Sequence, residues 1–117
     1  MTNDNGPWGA LARPIHADAA AAGDPPWRDN AFLGFWSSTE PVFGAVHVST
    51  SPNSEGRRAR FSLAAAGQTV EVVEPLGPGT FRSASIDFGL DGRIVVDSPE
   101  VKAELVMTPQ FDAVDYT

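Results

Sequence analysis

The sequence predicts an all-β fold: about seven antiparallel strands, in an up-and-down barrel or curled sheet, behind an irregular amino-terminal arm. Three observations predict it. After Ala31, short apolar runs alternate with turn-forming clusters at roughly 8–12-residue spacing, the rhythm of hairpin-connected strands. No periodic segment of helix length separates these runs, which argues against parallel βαβ units. The chain has 117 residues, 42% hydrophobic and 20% charged, enough for one core and too few for two.

Residues 1–30 read as the arm. They hold Pro7, Pro14, Pro25 and Pro26, with an alanine-rich piece between Pro14 and Gly23 that has room for one short helix. Trp8 and Trp27 are expected to pack on the domain, because an exposed indole leaves much apolar area in water. Residues 31–117 form the β domain. The expected strands are 31–37, 42–50, 57–65, 69–74, 80–88, 93–97 and 101–108. Thr39-Glu40-Pro41 ends the first, and the Ser/Pro/Asn/Gly cluster at 51–56 ends the second. Ala66-Gly67 and Pro75 to Gly79 break the next two, Asp91-Gly92 suits a tight hairpin, and Ser98-Pro99-Glu100 closes the sixth.

Alternation assigns faces. On the third strand Ala59, Phe61 and Leu63 oppose Arg58, Arg60 and Ser62; on the last, Val101, Ala103, Leu105 and Met107 oppose Lys102, Glu104 and Val106. The first two strands are apolar on both faces: Phe32, Gly34 and Trp36 against Leu33 and Phe35, then Val42, Val46 and Val48 against Phe43 and Ala45. Such strands call for a second cover, from the arm, a second domain or another subunit.

A formal net charge of −7 repels nucleic-acid phosphates and anionic lipid surfaces. The basic cluster Arg57, Arg58 and Arg60 is too small for a nucleic-acid footprint and reads as a solvated face. There are no cysteines, hence no disulfides, thiolate nucleophiles or cysteine-ligated metals. Met1 to Gly9 is polar and no apolar run reaches membrane-spanning length, so a cytoplasmic location is expected.

Catalytic signals are sparse. His47, on the face of Phe43 and Ala45, is a candidate general acid or base, since neighbours can move a histidine across neutrality. The competing reading is a hydrogen-bonded interior or interface histidine. Asp87, within an apolar run, is a second candidate and otherwise a turn cap for Gly89. His16 has no companion at metal-ligand spacing, no serine sits in a nucleophile elbow, and Gly77-Pro78-Gly79 lacks the Lys and helix of a phosphate loop. No metal or cofactor is expected. Phe35, Trp36, Phe43 and Phe61 are candidate ligand-lining residues, with Tyr116 at a pocket rim; plain core packing explains the same aromatics.

Several segments share a likeness. Residues 24–35 (DPPWRDNAFLGF), residues 44–58 with their Pro-Asn turn, residues 72–76 (VVEPL) and residues 106–116 (VMTPQFDAVDY) resemble the amino-terminal domain of a two-domain lipocalin-like family that includes carotenoid 1,2-hydratase (hydroxyneurosporene synthase). The resemblance spans residues 24–117. It implies a lipocalin-like antiparallel barrel or curled sheet holding an apolar isoprenoid- or polyketide-like molecule. It also implies hydratase or cyclase chemistry, with His47 or Asp87 moving a proton. In that family two such domains pack together, so a homodimer or partner chain would supply the second wall. The alternatives are a non-catalytic apolar-ligand-binding module and a structural or interaction domain with a filled interior.

Overall fold

A computed structural model describes residues 29–50, 57–77 and 80–110. They contain seven strands: β1 (Asp29–Trp36), β2 (Val42–Thr50), β3 (Arg58–Ala65), β4 (Gln68–Pro75), β5 (Ile86–Phe88), β6 (Arg93–Asp97) and β7 (Lys102–Val106). There is no helix among them, and none that is long and apolar enough to cross a membrane. Tyr116 and nearly all of the arm lie outside the described residues.

The strands follow chain order in two antiparallel sheets, β1-β2-β3-β4 and β5-β6-β7, which do not close into a barrel. Short connections leave consecutive strands nowhere to pair but with each other. The β3–β4 hairpin is the tightest. Ala65 pairs with Gln68, and the two residues between them, Ala66 and Gly67, have φ of 53° and 76°. Two positive-φ residues match the twist of the flanking strands, as in type I′ turns. Gly92, at φ 99°, serves the β5–β6 turn, where Asp91 Oδ1 accepts the Arg93 N–H at 3.2 Å.

The layers share one core. Val46, Val48, Ala59, Phe61 and Val72 from the first sheet pack with Ile86, Phe88, Ile94 and Val96 from the second. Phe81 meets Phe88 edge-on at 6.4 Å between ring centres. Phe61, Ile86, Ile94, Val46, Val48 and Val96 are all less than 2% exposed, so the space between the layers is filled with side chains. Phe35 lies over this core, stacked on Phe61 at 6.3 Å. Gly44, its cross-strand partner, makes that possible: a Cβ there would sit 2.6 Å from the Phe35 ring and 2.3 Å from the Ser62 carbonyl oxygen.

Two expectations change. The predicted fifth strand over 80–88 shrinks to Ile86–Phe88, with one isolated bridge, Arg82 to Asp87. Residues 83–85 are drawn away by Glu74, whose carboxylate accepts the Ser83 Oγ–H at 2.7 Å, the Ser85 N–H at 2.8 Å and the Ser85 Oγ–H at 2.7 Å. The first strand begins at Asp29, inside the expected arm.

Candidate functional site

Antiparallel pairing sets the outer face of the first sheet in rows across the strands. One row reads Phe32, His47, Arg60, Val73; the next Gly34, Ala45, Ser62, Glu71; the third Trp36, Phe43, Ala64, Thr69. The middle row is low at Ala45 and Ser62, while the Phe32 ring leans over Gly34 at one end and Glu71 stands at the other. The flanking rows carry the bulk. Phe32, Trp36 and Phe43 are 68%, 79% and 64% exposed, well beyond the scatter of single apolar residues normal on a surface. Beside Phe43 the face opens into a cleft of about 410 Å³, with Ser62, Ala64, Thr69 and Glu71 in its lining. The cleft is shallow and open to solvent on one side.

Two pairs of polar groups on this face engage each other. Arg60 Nη2 lies 2.7 Å from Glu71 Oε1, an exposed pair at the edge of the cleft. His47 Nε2 is 3.1 Å from Asn30 Oδ1, and the imidazole meets the Phe32 ring edge-on at 6.1 Å. His47 is thus held on two sides, one polar and one aromatic.

The residues singled out in the sequence divide into three groups. Trp36, Phe43 and His47 share the outer face of the first sheet. Phe35 and Phe61 project from the other side of the same strands into the core, where Phe61 is fully buried; they line no open site. Asp87 lies between Ile86 and Phe88, which both enter the core, so it points outward from the second sheet and pairs with Arg82 Nη2 at 3.1 Å. His47 and Asp87 therefore stand on opposite outer surfaces of the two layers. Among the described residues no group of three or more histidines and acids is placed to hold a metal ion.

Sequence reasoning missed two features. Phe32 joins Trp36 and Phe43 in the exposed aromatic group; alternation already places it on the face of Trp36, and that shared face is the signal that it belongs among the candidate lining residues. The Glu74 cluster had none, because it joins a strand end to serines nine and eleven residues downstream. Burial pushes the Glu74 carboxyl up, but hydrogen bonds from Ser85 and Ser83 outweigh burial and hold it below the ordinary glutamate value. This clamp fastens the 83–85 segment to β4. Its carboxylate is taken up by three hydrogen bonds from the segment it fastens, and the clamp reads as structural.

Comparisons of the chain with protein-family models, with curated proteins and with solved structures give no match.

Proposed function

We propose that the protein is a binding module that holds an apolar small molecule, of isoprenoid- or polyketide-like character, against the outer face of the β1–β4 sheet without converting it. One observation carries the reading: Phe32, Trp36 and Phe43 stand exposed together around a low floor that opens into the cleft. An elongated apolar ligand laid along Ala45 and Ala64 would lie against the Phe32 ring, which leans over Gly34, and against Trp36 and Phe43. Covering such area is favourable by roughly 25 cal/mol per Å² removed from water. Ser62, Thr69 and Glu71, the last paired with Arg60, line the cleft and offer hydrogen bonds to a polar end group.

Conversion is the less favoured half of the expectation. Acid–base chemistry needs its groups within hydrogen-bond reach of one reacting centre, and His47 and Asp87 face away from each other across the molecule. The resemblance to lipocalin-like domains supports apolar-ligand handling by a curled antiparallel sheet. Here the ligand would lie on the sheet, because the interior is occupied by Phe61, Ile86 and Ile94.

The test is titration of an apolar fluorescent probe, 1-anilinonaphthalene-8-sulfonate, into wild type and a Trp36→Ser/Phe43→Ser variant. Both side chains are exposed, so the variant keeps its core. The variant is expected to bind at least roughly tenfold more weakly, equivalent to about 1.4 kcal/mol. Equal binding by the two proteins would place the ligand elsewhere and overturn the reading.

A further inference from the structure

The β1 edge differs from the other sheet edges. β4 carries Glu71 and Pro75. β5 is flanked by the Arg82 bridge and by backbone bonds from Ser83 N–H to Ile86 O and Phe88 N–H to Phe81 O. β7 presents Lys102 and Glu104. Charge, proline and cover are the devices that keep a sheet edge from pairing with another chain. β1 has none of them from Ala31 to Trp36, and among the described residues no strand lies on its outer side.

Register fixes which backbone groups face outward there. The Ser37 N–H donates to the Val42 carbonyl at 3.0 Å, so Ser37–Val42 is a hydrogen-bonded pair. Such pairs alternate along an antiparallel ladder. Phe35, Leu33 and Ala31 therefore bond toward β2, leaving the N–H and C=O of Asn30, Phe32, Gly34 and Trp36 aimed at the open edge.

We propose that this edge pairs with the same edge of a second copy of the chain, antiparallel, about a two-fold axis at Leu33. The inference does not depend on the ligand reading. Three features of β1 single out a second copy and this register. All four outward-bonding residues find partners at once: Asn30 with Trp36 and Phe32 with Gly34, each twice. Large meets small on both faces, with Phe32 opposite Gly34 on the outer face and Phe35 opposite Ala31 on the inner. Phe32 leans along its own strand over Gly34, 3.5 Å from where a Cβ would sit, so the two Phe32 rings and the two glycines would share one patch of the outer face. Segment 30–36 also carries no charge, so the pairing brings no like charges of this acidic chain face to face. The product is an eight-stranded sheet whose outer aromatic rows run continuously across both copies.

The register is directly testable because the chain has no cysteine. Leu33 faces its own copy in a non-hydrogen-bonded pair, where Cα atoms lie about 4.5 Å apart, inside the range a disulfide spans. Leu33→Cys is expected to give a covalent dimer under mild oxidation. Asn30→Cys, whose copies would stand about 20 Å apart, is expected to stay uncrosslinked. In sedimentation of the full chain, wild type is expected to be a dimer and Gly34→Pro a monomer, since proline removes the outward N–H and its ring stands in the way of the second edge, while no bond to β2 is lost. A wild-type monomer at high micromolar concentration, a folded Gly34→Pro protein that still dimerises, a folded Leu33→Cys protein that fails to crosslink, or Asn30→Cys crosslinking as fast as Leu33→Cys would each overturn the proposal.

Discussion

The two faces of the β1–β4 sheet are built by the same strands from similar residues, yet only one of them is closed. The inner face has Phe35 and Phe61 stacked beneath a second sheet; the outer has Phe32, Trp36 and Phe43 standing in solvent. Aromatic content does not distinguish them. What does is the presence of a partner: Ile86, Phe88, Ile94 and Val96 arrive on one side, and among the described residues nothing comparable arrives on the other. A strand that is greasy on both sides is thus half core and half interface, and the interface half is where function is to be sought.

The largest test of that contrast sets one phenylalanine from each face side by side. Phe61→Ala removes a fully buried ring that supports Phe35 and is expected to cost about 3–5 kcal/mol in urea unfolding, through lost transfer energy and a residual cavity. Phe43→Ala, on the open face, is expected to change stability by less than about 0.5 kcal/mol. Equal losses at both positions would mean that the outer face is covered in solution and that the contrast is false.

Much of this contrast was legible in the sequence, and the part that was not has physical causes. The bounds of β2 and β6 fall where the turn residues set them, at 42–50 and 93–97. Alternation also separated Phe32 and Trp36 from Phe35 correctly. Grouping Phe35 with Trp36 as lining residues failed because neighbours along a strand project to opposite sides. Which side became core was decided by the β5–β7 sheet, whose position no local pattern encodes. The fifth strand overran for a related reason: a carboxylate on β4 claims Ser83 and Ser85 before a ladder can. The sites named for chemistry, His47 and Asp87, could be recognised as residue types but not as points on opposite surfaces.

That carboxylate also links the two faces to the rest of the molecule, since it fastens the connection between the sheets. Glu74→Gln is expected to destabilise the protein by about 1–2 kcal/mol at neutral pH, because charge-assisted hydrogen bonds are replaced by weaker ones. The folded pKa lies below the ordinary value of 4.5, so this stability is present above 4.5 and is lost as pH falls through the folded pKa. The difference between wild type and Glu74→Gln should therefore shrink in acid, measured as urea midpoints across a pH series. A difference that stays constant would mean that the serine clamp does not form around the ionised group.

The smallest effect comes at the β3–β4 turn, which carries both faces at once: Leu63 and Ala65 project inward, Ala64 and Thr69 outward beside the cleft. Ala66 occupies the left-handed region at φ 53°, where its Cβ crowds the backbone, and its side chain is exposed with nothing to compensate. Asparagine tolerates that conformation and is preferred before glycine in type I′ turns. Ala66→Asn is expected to raise the unfolding free energy by about 0.5–1 kcal/mol through relief of backbone strain alone. Because no lining residue is touched, probe binding at the outer face should be unchanged while the urea midpoint rises. If binding moved with stability, the cleft wall would be shaped by the hairpin's dynamics, and the outer face would not be the preformed surface that the exposed rings describe.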